Sequence, residues 1–148
     1  MAHKWRQESV KMVLEVLIAD DDFEGYIHRF EKAFHGKARF KGAENAGEAL
    51  NFINEGRDGE HYGLVILDYN PPINGFQTAI KIKAVPYDIK IIGFSSEWKE
   101  DEVKQVGLYY FSDFEPDIAH AVADILKMDQ KTYERDIKPH FDFLKLRW

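Results

Sequence analysis

Three short apolar runs, each leading into polar or acidic residues, constrain this chain more than any other feature. They are Val13–Ala19, broken only by Glu15, then Leu64–Leu67, then Ile89–Phe94. Runs this short and this apolar fit strands buried on both faces, as in a parallel sheet with helices above and below. Ala38–Ala43 and Leu108–Phe111 are weaker strand candidates.

Helical spacing fills the gaps. Phe23, Ile27, Phe30 and Phe34 fall on one helical face, and so do Ala46, Ala49, Leu50 and Ile53. Gly56 is placed to end the second of these helices. Phe76, Ala79, Ile80 and Lys83 open a third, closed by Pro86. Trp98–Val106 is a fourth, and Ile118, Val122, Ile125 and Leu126 mark a fifth. The strict alternation of strand and helix predicts one α/β domain around a parallel sheet. Its expected limits are residues 13–128, with residues 1–12 as an N-terminal extension and 129–148 as a C-terminal one.

Ligands of such sheets sit beyond the carboxyl ends of the strands. Asp20, Asp21 and Asp22 follow the first run, Asp68 and Asn70 follow the third strand, and Ser95 and Ser96 follow the fourth. Clustered carboxylates repel one another and call for a hard cation. Oxygen donors of this kind suit Mg²⁺ working with a phosphate. A carboxylate can also serve as a nucleophile and form an aspartyl phosphate. Each signal has a plainer reading. Asp20–Asp22 and Ser95–Ser96 would make ordinary helix caps, and Asp68 could simply open a turn before Asn70-Pro71-Pro72. Their succession at three strand ends is what gives the pattern weight.

Other chemistries are disfavoured. The net charge of −6 argues against a general nucleic-acid binder. With no cysteine there is neither a disulfide framework nor a thiolate site. No stretch approaches the ~20 apolar residues of a membrane helix, and the N-terminus lacks the apolar core of a signal peptide. The expectation is a cytoplasmic protein binding neither membrane nor nucleic acid. The six histidines form no metal-ligand pattern, and His28 and His120 read as ordinary helix residues. No Gly-rich phosphate loop appears.

Residues Val13 to about Lys127 resemble a response-regulator receiver domain. Val16–Asp22 resembles the family's first strand with its acidic pair, and Val65–Gly75 its acceptor strand and proline-glycine loop. Ala43–Leu50 resembles the second strand entering its helix, and Ile91–Glu97 the strand with the switch hydroxyl. The resemblance implies a flavodoxin-like (βα)5, doubly wound five-stranded sheet of order 2-1-3-4-5. It implies Asp68 as phosphoryl acceptor, Ser95 as switch hydroxyl and Tyr109 as switch aromatic. Mg²⁺ would be held by Asp20, Asp21, Asp68 and the backbone carbonyl of Asn70. Asn70 and Glu97 would occupy the positions that tune loss of the phosphoryl group.

The implied partners are a histidine kinase or histidine phosphotransfer protein and a downstream protein target. Such a module is no enzyme beyond assisting its own phosphorylation and dephosphorylation. The chain departs from the family in that the lysine expected after the fifth strand is replaced by Ser112 or Glu115, depending on alignment, and the loop after Asp68 and the stretch before Tyr109 are both short. That keeps a second reading open, a pseudo-receiver acting as an adaptor without phosphorylation. A Mg²⁺-dependent phosphatase is less well matched, because Asn70 stands where a second catalytic acid is usual.

In the C-terminal extension, Tyr133, Ile137, Phe141, Leu144 and Trp148 share helical spacing, interrupted by Pro139. So many large apolar side chains predict either packing back on the same domain or docking on a second subunit, as in a homodimer, or on a partner.

Overall fold

The computed structural model describes residues 13–147, with side chains to Leu144. The expected extension 1–12 and Trp148 lie outside the described residues. Five strands form one parallel sheet in the order 2-1-3-4-5: β1 (Leu14–Ala19), β2 (Ala38–Ala43), β3 (Leu64–Leu67), β4 (Lys90–Phe94) and β5 (Tyr110–Ser112). The helices between and after them are α1 (Ile27–Ala33), α2 (Ala46–Glu55), α3 (Gly75–Lys83), α4 (Glu100–Val106) and α5 (Glu115–Ile125).

The sheet has two buried faces, and strand alternation explains why the runs are continuously apolar. Val16, Ile18, Leu64, Ile66 and Ile92 face a core shared with Phe30 of α1, Phe34 at its C-terminal cap, and Ile118 and Val122 of α5. Leu17, Ala19, Val65, Leu67 and Ile91 face the other core, with Ala49 and Ile53 of α2 and Ala79 and Ile82 of α3. Among the described residues no helix is long and apolar enough to cross a membrane.

Three elements differ from the sequence reading. The first helix is not continuous from Phe23: a short 3-10 turn (Phe23–Gly25) precedes α1, and Tyr26 breaks helical geometry between them. Phe23 packs instead over Gly42, where a Cβ would collide with its ring. Trp98 lies outside α4, buried at 4% exposure against Gly93 and Gly75. The last strand begins at Tyr110, two residues later than the expected Leu108–Phe111, after Gly107 ends α4 in the left-handed region at φ +66°. The second helix does end at Gly56, at φ +73°.

Beyond α5 the chain continues as helical turns. Asp129 caps Gln130–Thr132 by accepting from Thr132 N–H at 2.7 Å. A wide turn (Tyr133–Ile137), a tight one containing Pro139 (Lys138–His140) and a last one (Asp142–Arg147) follow. Pro139 splits the segment, as a residue without an amide donor should. Ile137, Phe141 and Leu144 are buried in the α1–α5 core, where the Phe141 ring meets Phe30 with centroids 5.1 Å apart. The described part of the segment therefore packs back on its own domain.

Candidate acidic site

β1 and β3 are adjacent in the sheet, Ala19 lying opposite Leu67, so the residues that follow them emerge side by side. Oxygens of Asp20, Asp21 and Asp68 lie within 4.8 Å of one another. Asp20 is the deepest, at 9% exposure. Its Oδ2 accepts from the Tyr26 hydroxyl at 2.7 Å and its Oδ1 from Asp22 N–H at 2.8 Å. Asp68 Oδ1 accepts from Tyr69 N–H at 2.7 Å and, more loosely, from Asn70 N–H at 3.5 Å.

Burial raises the Asp20 carboxyl above its usual range, and the neighbouring charges of Asp21 and Asp22 add to this against two lowering hydrogen bonds. Asp68 is raised first by burial and then by the charge of Asp20. The Tyr26 phenol is held well above its usual value by burial and by Asp20, so it remains a donor. Among the described residues, no lysine or arginine forms an ion pair with Asp20, Asp21 or Asp68. Two partly buried carboxylates and an exposed third, without a protein cation, make a donor set suited to a hard divalent ion.

The remaining residues singled out in the sequence are placed as follows. Ser95 follows β4, and its Oγ accepts from Glu97 N–H at 3.0 Å. The Asn70 carbonyl accepts from Ile73 N–H at 3.0 Å and Asn74 N–H at 3.2 Å, so the short loop after Asp68 occupies it. Reaching a cation would require the loop to release one of these bonds. Tyr109 precedes β5 with its side chain 44% exposed.

Neither candidate for the lysine position is idle. Ser112 Oγ donates to Asp117 Oδ2 at 2.9 Å. Glu115 receives the Arg29 guanidinium bidentately, at 2.6 and 2.9 Å.

Four participants were not singled out from sequence: Tyr26, Tyr69, Trp98 and Glu102. The Tyr69 hydroxyl donates to Glu102 Oε2 at 3.0 Å, and its ring meets Trp98 edge-on at 5.1 Å. The one sequence signal for this cluster was glycine. A glycine inside an apolar strand marks a close approach, and Gly93 is where the Trp98 indole comes nearest to β4.

Comparison with family models finds no match, and comparison with curated proteins finds none. Solved structures do match. A CheY-like response regulator receiver domain protein from Methanospirillum hungatei is 18% identical, covering 84% of this chain and 99% of its own, with a TM-score of 0.63. A response regulator receiver protein from Pseudomonas putida is 20% identical over 78% of this chain and 99% of its own, with a TM-score of 0.63. A two-component response regulator from Legionella pneumophila is 21% identical over 77% of this chain and 98% of its own, with a TM-score of 0.59. The chain has the fold of these receiver domains.

Proposed function

We propose that this chain is a receiver module of two-component signalling that accepts a phosphoryl group on Asp68 with Mg²⁺ bound, and signals through altered protein binding. The observation that carries the reading is the convergence of Asp20, Asp21 and Asp68 within 4.8 Å at the ends of β1 and β3, in a sheet of order 2-1-3-4-5. Asp20, Asp21 and Asp68 would hold Mg²⁺, which supplies neutralising charge between the carboxylates and the phosphoryl oxygens.

In the transfer, an Asp68 carboxylate oxygen forms a bond to phosphorus as the bond from phosphorus to the donor breaks. The donor's leaving atom takes the electron pair and is protonated from solvent. Tyr69 N–H, now on Oδ1, orients the attacking carboxylate. Tyr26 and Asp22 N–H hold Asp20 in place. The Ser95 hydroxyl would turn from Glu97 N–H toward the phosphoryl oxygen. The donor would be a histidine kinase or a histidine phosphotransfer protein, and the readout a shift between two conformations of the domain.

A phosphorylation-independent adaptor is the second reading. What favours it is that Ser112 and Glu115, the candidates for the lysine position, are engaged with Asp117 and Arg29, and neither carries a positive charge.

Metal binding is the first test. Calorimetry should show Mg²⁺ binding to the wild type and its loss in Asp21→Ala. Equal binding in both would remove Asp21 from the site.

A further inference from the structure

Tyr69 connects the acidic site to α4, two parts of the molecule that no strand pairing joins. At one end its N–H donates to Asp68 Oδ1 at 2.7 Å. At the other, its hydroxyl donates to Glu102 Oε2 at 3.0 Å and accepts from Lys99 Nζ at 3.3 Å. Lys99 and Glu102 are themselves tied at the first turn of α4, where Glu102 Oε1 accepts from Lys99 N–H at 3.3 Å. A single aromatic side chain is thus held at its backbone by the proposed acceptor and at its tip by a helix.

Between the two ends lies Trp98. Its ring meets that of Tyr69 with centroids 5.1 Å apart and planes at 74°. It is 4% exposed, and among the described residues its indole N–H has no partner. A buried indole usually finds an acceptor, so shape rather than hydrogen bonding fixes this one. The shape is supplied by two glycines: a Cβ on Gly93 would stand 2.6 Å from Trp98 Nε1, and one on Gly75 2.9 Å from the neighbouring Cζ2 of the same indole. Close-packed interiors of this kind pass displacement on instead of absorbing it.

We propose that Tyr69 is the link through which loading of the Asp68 site reaches α4. The inference rests on the reading above, that a cation or a phosphoryl group loads Asp68. A group that draws charge from the Asp68 carboxylate weakens its bond from Tyr69 N–H and resets the peptide between the two residues. The Tyr69 ring cannot follow without moving against Trp98, which Gly93 and Gly75 confine. The displacement therefore arrives at the hydroxyl and at its two partners, Glu102 and Lys99. Tyr109, at 44% exposure, offers no comparably packed route.

Tyr69→Phe separates the link from the site, because it keeps the peptide at Asp68 and the ring on Trp98 and removes only the hydroxyl. In the full chain, Mg²⁺ affinity is measured by calorimetry, and amide hydrogen exchange across Glu100–Val106 is followed with and without saturating Mg²⁺. The expected result is Mg²⁺ binding in both proteins, a change of α4 exchange at saturating Mg²⁺ in the wild type, and loss of that change in saturated Tyr69→Phe. An α4 response in the variant equal to the wild type's, or no response in a wild type that binds Mg²⁺, overturns the link while leaving the site intact. Absence of Mg²⁺ binding in both proteins overturns the metal site, and the link with it.

Discussion

Asp68 and Asp20 hold their charges at a cost, and the sign of that cost makes them testable. Burial, the largest cause for both, raises their carboxyls above the usual Asp range, with neighbouring carboxylates adding to it. A carboxyl raised in the folded state favours folding while it is protonated. That contribution is complete below the unfolded pKa and is lost as pH rises through the folded one. At neutral pH the metal-free protein therefore carries the full penalty. Asp68→Asn should raise its urea midpoint at pH 7, and the advantage should shrink as pH is lowered. Mg²⁺ should abolish most of it by stabilising only the wild type. Mg²⁺ affinity should weaken on acidification with a midpoint above the ordinary Asp value of about 3.9. A variant less stable than the wild type at pH 7 without metal would show that Asp68 is not under this strain.

At the scale of elements, tight packing ties the loops of the site to the helices beside them. A Cβ on Gly75 would collide with the backbone carbonyl of Asp68 and press on Trp98, neither of which can swing aside. Gly75→Ala should cost about 1–3 kcal/mol in chemical denaturation, the usual range for overpacking, and should weaken Mg²⁺ binding by shifting Asp68. An unchanged denaturation midpoint would mean the β3–α3 loop yields more easily than its contacts suggest. The apolar runs of β1, β3 and β4 were legible in the sequence because burial on both faces leaves no polar alternation to confuse them. The acidic cluster was legible because its members each follow a strand end. Trp98 was misplaced because its spacing also fits the face of α4, and packing against two glycines outweighed that pattern. The bond from Tyr69 to Glu102 joins residues 33 apart, which no local pattern encodes. The aromatic run Tyr109–Phe111 mimicked a buried strand, yet all three side chains are at least 40% exposed at the sheet edge. In the C-terminal segment the apolar spacing was visible, and Pro139 correctly marked where it splits. Phe141→Ala should cost about 3–5 kcal/mol, as for a large buried aromatic, with no change in sedimentation. A variant of unchanged stability that instead alters self-association would place Phe141 in an interface between chains.

For the molecule as a whole, the order 2-1-3-4-5 sets β1 and β3 side by side where the strand order reverses, the position at which open α/β sheets bind their ligands. The sheet is packed on both faces by two cores, and the C-terminal segment extends the core on the side away from α2 and α3. Solved receiver domains share this fold at TM-scores of 0.59 to 0.63 with identities of 18–21%. Covalent phosphorylation of Asp68 is the chemistry we propose for that fold. Its most direct test is intact mass spectrometry after incubation with a small-molecule phosphodonor and Mg²⁺, on the full chain and on Asp68→Asn. A single phosphoryl adduct is expected on the wild type, dependent on Mg²⁺ and lost in Asp68→Asn. An adduct that persists in Asp68→Asn, or a wild type that stays unmodified with this donor and with a histidine kinase, would contradict it.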